Sequence, residues 1–299
     1  LEDGDVYRTP QYYGGEWGDI EFTTLSGDYP LRVAVIGDAG LKTSVTPVLA
    51  DMIAEQNPAF MIFTGDVVYN VGDYATPFDA YADRYFEPFS PILKRIPVYT
   101  VPGNHDIEIQ THLNGVPFYY YAFPPIEMPE GEPSSYEGRN QWYTIGYRDF
   151  QFIMVDTQTF YDEAGQTEQD EWLIDQLSDS QFRYKIPVFH IPPFTSGRHG
   201  LDGWIVSERW LPLFEQANVP LVLSGHDHNY ERIVQGGITY IVSGGGSAVL
   251  YEQTESVDGS QIFARRSHFV ILDFYPDHID IRAISVDGEI LDTITLSLN

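Results

Sequence analysis

LRVAVIGDAG, residues 31–40, runs six mostly apolar residues into a Gly-Asp-Ala-Gly cluster, and the chain repeats that device four more times. FMIF (60–63) stops at Thr64-Gly65-Asp66-Val67-Val68-Tyr69, and IPVYTV (96–101) at Pro102-Gly103-Asn104-His105-Asp106. IPVF (186–189) meets His190, and PLVL (220–223) meets Ser224-Gly225-His226-Asp227-His228. A short apolar run bounded by turn residues reads as a buried strand. Ligands of open α/β sheets gather outside the carboxyl ends of the strands. Five such ends bring Asp38, Asp66, Tyr69, Asn104, His190, His226 and His228 towards one place. Carboxylate, amide, phenol and imidazole without sulfur suit Fe, Mn, Zn or Mg. A carboxylate can bridge two ions, and ions roughly 3.5–4 Å apart hold both oxygens of an in-line displacement. Each cluster alone is a weak signal, since Gly-Asp is common in turns. Their order and their shared position at strand ends predict a two-metal site.

Outward from these clusters, residues 31–101 alternate strand and helix. Val45, Leu49, Met52 and Ile53 give helical spacing from Thr43 to Gln56, ended by Asn57-Pro58, and a second helix is expected over Pro77 to Phe89. That rhythm implies parallel strands with right-handed crossovers. Residues 107–141, with Tyr119-Tyr120-Tyr121 and an acidic Pro/Gly stretch, read as a long loop or pocket wall, whose tyrosines could stack on a substrate. WYTIGYRDFQFIMVDT (142–157) reads as a hairpin and Thr167 to Leu177 as a capped helix. After His228 the texture is all β: ITYIVS, HFVILDFY, HIDIRAIS and DTITLSL, with turns at Asp277 and Asp287-Gly288. A parallel half followed by an antiparallel half predicts two sheets packed face to face with helices outside. Residues 1–30 are expected to form an irregular arm, and 31–299 a single catalytic domain.

Composition narrows the function classes. With 44 acidic against 16 basic residues, the net charge of −28 repels nucleic-acid backbones and anionic membranes. An anionic substrate would then need a local island of positive potential, which bound cations supply. Cysteine is absent, which excludes disulfides, thiolate metal sites and a Cys nucleophile. No apolar stretch is long enough to span a membrane. LEDGDVYRTP lacks the basic and apolar regions of a signal peptide, so such a segment is expected to be absent or already removed.

Gly37-Asp38-x-Gly40, Gly65-Asp66-x-x-Tyr69, Gly103-Asn104-His105-Asp106, Val188-x-His190 and Gly225-His226-x-His228 resemble the five signature blocks of the calcineurin-like metallophosphoesterases. Tyr69, three residues after the second Asp, is similar to the purple acid phosphatases within that superfamily, as are Asn229-Tyr230-Glu231-Arg232 and Val242-Ser243-Gly244-Gly245-Gly246. The resemblance covers roughly residues 31–250. It implies a four-layer αββα sandwich of two mixed sheets. It implies Fe(III) held by Asp38, Asp66, Tyr69 and His228, and a divalent Fe, Zn or Mn held by Asp66, Asn104, His190 and His226. It places His105 and His199 beside the scissile phosphate, with the general acid open between them, and Asp106 as the carboxylate that orients His105. Family members from plants carry a further His where this chain has Gly200, so His199-Gly200 is similar to the small animal-type members. The implied reaction is hydrolysis of small phosphate monoesters by metal-activated water, favoured at acidic to neutral pH, in a secreted or periplasmic protein.

Two other readings compete: a phosphodiesterase using the same metals, cyclic nucleotides included, and a non-catalytic metal- or phosphate-binding protein. Retention of both His105 and His199 argues against the second, because metal binding needs neither. His268 and His278 begin strands and read as structural, and His112 lies near the third cluster. Gly244-Gly245-Gly246 lacks the Lys-Ser/Thr of a phosphate loop and reads as a tight turn near the metals.

Overall fold

The computed structural model describes residues 6–13, 16–23, 28–123, 142–161 and 163–298. Two sheets lie face to face. The six-stranded sheet runs Ile290–Ser297, His278–Ser285, His268–Phe274, Leu31–Ile36, Phe60–Phe63, Val98–Thr100. The seven-stranded sheet runs Ser260–Ala264, Tyr230–Gln235, Ile238–Ser243, Leu221–Ser224, Tyr184–Val188, Phe150–Met154, Tyr143–Tyr147. Parallel pairing joins 31–36, 60–63 and 98–100 at one end of the first sheet and 150–154, 184–188, 221–224 and 238–243 in the middle of the second.

The late β segments do not form a sheet of their own. His268–Phe274 pairs antiparallel with Leu31–Ile36, while Tyr230–Gln235 and Ser260–Ala264 continue the second sheet beyond Ile238–Ser243. Each parallel block has an open edge of unpaired N–H and C=O groups, and the late strands cover one on each sheet. Both sheets are therefore mixed.

Side-chain alternation builds the layers. Leu31, Val33 and Val35 face the other sheet, while Ala34 and Ile36 face outward to Leu49 and Ile53 of helix Val45–Glu55. Apolar residues on both faces are why this strand reads as an unbroken run. Between the sheets Phe60, Phe150, Phe152 and Phe274 meet edge to face at 4.9–5.4 Å. On the far side Leu173, Trp210 and Phe214 cover Ile153, Phe189 and Val222. The order is helix, sheet, sheet, helix.

Three expectations change. Residues 1–30 contain an antiparallel pair, Val6–Tyr13 with Glu16–Thr23 in register from Val6↔Thr23 to Tyr13↔Glu16, rather than only irregular chain. The signal was present in two aromatic and β-branched runs either side of Gly14-Gly15, a two-residue hairpin cue outweighed by Gly and Asp content. The helix expected over Pro77 to Phe89 is Pro77–Tyr81 followed by a wider π turn, Ala82–Phe86. Tyr81, Tyr85 and Phe89 recur every fourth residue and are all buried, and the wider turn keeps them on one face. Residues 107–123 are folded rather than looped, with a short ladder of His112–Leu113 on Val116–Pro117 and a helix Tyr119–Ala122. Tyr119 and Tyr120 are buried, which removes them as stacking surfaces, and Tyr121 is exposed. The rest of that expected pocket wall, 124–141, lies outside the described residues.

Another strand end carries a buried acid. Asp156 follows Phe150–Met154 and accepts hydrogen bonds from the Gln158 N–H (2.7 Å) and the Tyr120 hydroxyl (3.2 Å). Burial pushes its carboxyl up to about 7. The folded chain keeps a proton that the unfolded chain releases near pH 4, so this contribution to stability is full below about pH 4 and lost as pH rises through about 7. The linked change is at most about 4 kcal/mol. Urea midpoints of wild type and Asp156→Asn at about pH 4.5 and pH 7.5 check this: the wild type should lose more stability across that interval than the variant.

Candidate metal centre

The seven candidate ligands do meet at the strand ends. Asp38, Asp66 and His226 all adopt left-handed backbone, with φ of 56°, 53° and 69°. Non-glycine residues pay of order 1–3 kcal/mol for such conformations, which cluster where function constrains the chain. The motif glycines answer to crowding here. A Cβ on Gly65 would lie 2.4 Å from His190 Nδ1, and one on Gly103 2.1 Å from Asp66 Oδ1. Gly244 likewise backs onto Asp38, as expected of a tight turn beside the site: its Cβ would come within 2.8 Å of Oδ2.

Hydrogen bonds outside the cluster fix which imidazole nitrogens face inward. His190 Nδ1 lies 2.8 Å from the Thr64 carbonyl and His228 Nδ1 2.7 Å from the Val249 carbonyl. A carbonyl only accepts, so both Nδ1 atoms carry hydrogen and Nε2 of each ring faces inward, as a lone pair wherever the ring is neutral. His226 is reversed: Nε2 donates to Asp202 Oδ2 at 3.0 Å, and Nδ1 faces inward. His190 Nε2 then has His226 Nδ1 and Asn104 Oδ1 at 3.2 Å and Asp66 Oδ2 at 3.6 Å. These are four acceptors with no hydrogen between them.

The second group gathers two buried carboxylates and a phenol around His228. Tyr69 donates its hydroxyl hydrogen to Asp38 Oδ1 at 3.0 Å, and its oxygen still faces His228 Nε2 at 3.1 Å. Ligand atoms of Asp38, Asp66 and His228 all lie within 4.8 Å of one another. Asp66 thus borders both groups. Buried acceptors arranged lone pair to lone pair repel unless a cation lies between them, so the donor set fits two cations sharing Asp66.

Electrostatics differ between the two groups: burial lowers the His228 pKa but Asp38, 3.4 Å from its Nε2, more than offsets this and raises it, so there a cation competes with a proton. Burial holds the His190 imidazole below its usual pKa, which keeps it neutral and able to ligate. Burial, then Asp38 and Asp66, push the Tyr69 phenol well above its usual range. Without a cation Tyr69 stays protonated, and a cation beside the two carboxylates reverses that sign.

His105 and His199 each pack against a candidate ligand, one in each group. The His105 ring lies 4.6 Å from the Tyr69 ring, and the His199 ring 4.3 Å from the His226 ring. Asp106 does not orient His105. Its buried carboxylate instead accepts from the backbone N–H groups of Val67 (3.0 Å), Val68 (3.1 Å) and Gly103 (2.9 Å), clamping the Asp66 loop to the Asn104 loop. The side chain pointing away from His105 follows from the 3₁₀ turn Asn104–Asp106, which aims successive residues apart. Glu108 takes the place expected of Asp106, with Oε1 2.6 Å from His105 Nδ1. Asp202 does the same for His199, with Oδ2 2.8 Å from Nδ1, while also accepting from His226.

Glu108 and Asp202 were missed by the sequence reading, yet both follow a histidine at i+3, and that repeated His-x-x-acid spacing was readable. Tyr251 was also missed; it stacks on His228 at 4.2 Å and is reached by a loop with no motif to mark it. His268 is buried between Ser243 Oγ and the Arg266 carbonyl, burial pushing it down to about 4, which fits a structural role. His112 contacts the Ile107 carbonyl and His278 contacts Asp277.

The comparisons follow the same residues. The calcineurin-like phosphoesterase family matches residues 31–230. Purple acid phosphatase 23 of Arabidopsis thaliana is 28% identical over 242 residues, covering 72% of this chain and 51% of the relative. Purple acid phosphatase 18 of the same plant is 29% identical over 242 residues, covering 78% and 51%. The chain spans about half the length of these curated relatives. Among solved structures, purple acid phosphatase PPD1 from yellow lupin (Lupinus luteus) seeds superposes with a TM-score of 0.74 at 19% identity, over 94% of this chain and 57% of that one. GAP50, the anchor in the inner membrane complex of Plasmodium, superposes with a TM-score of 0.72 at 21% identity, over 91% and 90%. At such identities these two likenesses speak for the four-layer fold alone. The matched segment runs from the first strand-end cluster past the last, and the chain belongs to the calcineurin-like phosphoesterases.

Proposed function

We propose that this chain is a dinuclear-metal phosphatase of the purple acid phosphatase type, hydrolysing small phosphate monoesters. The observation that carries the reading is the pair of carboxylate-held histidines packed against the ligand cluster. Metal binding alone does not need them, and a fold shared with an anchor protein does not by itself imply catalysis. When bound, two cations would neutralise phosphate charge and supply an activated water. Asp38, Asp66, Tyr69 and His228 would hold Fe(III), for which a hard phenolate donor is suited. Asp66, Asn104, His190 and His226 would hold divalent Fe, Zn or Mn.

Glu108 and Asp202 each accept from Nδ1 of their histidine, which leaves Nε2 of His105 and of His199 for the phosphate oxygens. Two such groups suit a dianionic monoester, whose three unsubstituted oxygens can be met by both, better than a singly charged diester. One of the two protonates the leaving alcohol, which favours acidic to neutral pH. The acidic, Lys-poor, Cys-free composition supports export to a secreted or periplasmic location. No helix among the described residues is long and apolar enough to cross a membrane.

Turnover of an aryl monoester and the matching bis-aryl diester by metal-replete protein tests this, from about pH 4 to about pH 8. The monoester should be preferred by about tenfold or more in kcat/KM. A reversed preference establishes the phosphodiesterase reading, and no hydrolysis of either ester establishes the non-catalytic one. A visible band present in wild type and lost in Tyr69→Phe supports the ferric site; a colourless, iron-free, active wild type overturns it.

A further inference from the structure

Asp227 stands between two candidate ligands, His226 and His228, yet its side chain turns away from both. It is fully buried and reaches the loop that carries His199. Oδ1 accepts from the Arg198 N–H at 2.9 Å; Oδ2 accepts from the His199 N–H at 3.2 Å and from Thr195 Oγ1 at 2.7 Å. Thr195 Oγ1 in turn accepts from the Gly197 N–H at 3.0 Å. Glu231, also fully buried, holds the next stretch of the loop through the Ser196 N–H (2.7 Å) and Ser196 Oγ (2.5 Å).

Among the described residues, no Lys, Arg or His ion pair is seen for either carboxylate. Their charge is met by backbone N–H and hydroxyl donors of residues 195–199, joined at Glu231 by Ser260 Oγ (2.6 Å), so the loop conformation and the carboxylates specify each other. Gly197 has the clearance this needs: a Cβ there would lie 2.5 Å from Asp227 Oδ1. Asp202, the other link between His199 and the ligand His226, is half exposed. Asp227 is the buried link, and it grips the peptide of His199 rather than its ring.

We infer that Asp227 is a positioning residue, which transmits the placement of the His226–His228 strand end to His199 and sets where His199 meets the phosphate. This rests on the phosphatase reading, and deepens it. In Asp227→Asn an amide replaces the carboxylate, and whichever way it turns, an NH₂ faces a backbone N–H. His226 and His228 keep their own partners, Asp202 and the Val249 carbonyl.

The test is a double-mutant cycle on metal-replete full chain. Asp227→Asn should lower kcat by about 10–100-fold, the scale of a misplaced catalytic group, with two metals retained and the visible spectrum unchanged. In a His199→Ala background the further loss should be under about threefold. Thr195→Val, which removes one donor to Asp227 and is not itself a candidate ligand, should lower kcat by about 3–10-fold and also lose its effect without His199. Equal losses in both backgrounds, or loss of metal from Asp227→Asn, overturn the inference. If Asp227→Asn does not fold, Thr195→Val decides on the same criterion. The cycle read on inorganic phosphate binding by calorimetry tests the placement without turnover. An inactive wild type with coupled phosphate binding therefore refutes the phosphatase reading alone, and an active wild type without coupling refutes this inference alone.

Discussion

Asp66→Asn should lower kcat/KM by about 10³-fold or more, beyond the 10²–10³-fold that a single lost oxyanion donor costs. The substitution keeps volume and shape, and the amide oxygen can still accept the His105 N–H that Asp66 Oδ1 accepts at 2.9 Å. What it removes is the charge that both ligand groups share: Oδ2 lies 3.6 Å from His190 Nε2, and a carboxylate oxygen groups with Asp38 and His228. A neutral amide is a poor bridge between two cations, so both affinities should fall together rather than one. Metal analysis of the purified variant should find fewer than two ions per chain, and added metal should restore little activity. Folding is a separate matter, because Asp66 is buried, no lysine or arginine ion pair is seen for it among the described residues, and losing its charge relieves repulsion with the buried Asp106 in metal-free protein. The thermal midpoint of apo variant should therefore equal or exceed that of apo wild type, while holo wild type gains from binding that the variant lacks. A variant with two metals and activity within tenfold of wild type would remove Asp66 from the bridging position.

The parts legible in the sequence were those with a local cause. Strand ends are legible because a buried parallel strand is apolar on both faces and must stop at a turn, and LRVAVI and FMIF do so at Gly-Asp. The ligand groups follow, since a strand end is where a parallel sheet exposes side chains to one crevice. What sequence did not reveal depends on long-range geometry. The late strands join both sheets because each parallel block leaves an edge, and nothing in HFVILDF says which edge it covers. Asp106 was misread because adjacency in sequence was taken for contact, whereas a 3₁₀ turn sends its carboxylate to Val67 and Val68. Glu108 and Asp202 lie three residues from the histidines they hold, a spacing that brings side chains together in one turn of chain.

Those two carboxylates also decide the last expectation, which of His105 and His199 protonates the leaving group. His105→Ala and His199→Ala should each cost about 10²–10⁴-fold in kcat on a substrate that needs proton donation. The two roles separate by leaving group. An aryl oxide such as p-nitrophenolate departs without a proton, whereas an alkoxide does not. Removing the general acid should therefore cost far more with an alkyl phosphate than with p-nitrophenyl phosphate, by a further factor of about 10². Removing the histidine that only steadies phosphate charge should cost the same with both. His199 shares its carboxylate with the ligand histidine His226, through Asp202 at 2.8 and 3.0 Å, whereas Glu108 serves His105 at 2.6 Å. A carboxylate divided between two imidazoles stabilises the protonated form of either less than one facing a single imidazole. Burial, then the neighbouring His226, lowers the His199 pKa, and Glu108 faces His105 alone, so the larger alkyl-specific loss is expected for His105→Ala. Glu108→Gln should then reproduce part of that loss on alkyl phosphates and little on aryl ones. If instead His199→Ala shows the alkyl-specific loss and Glu108→Gln shows none, the proton donor is His199 and His105 is the phosphate clamp.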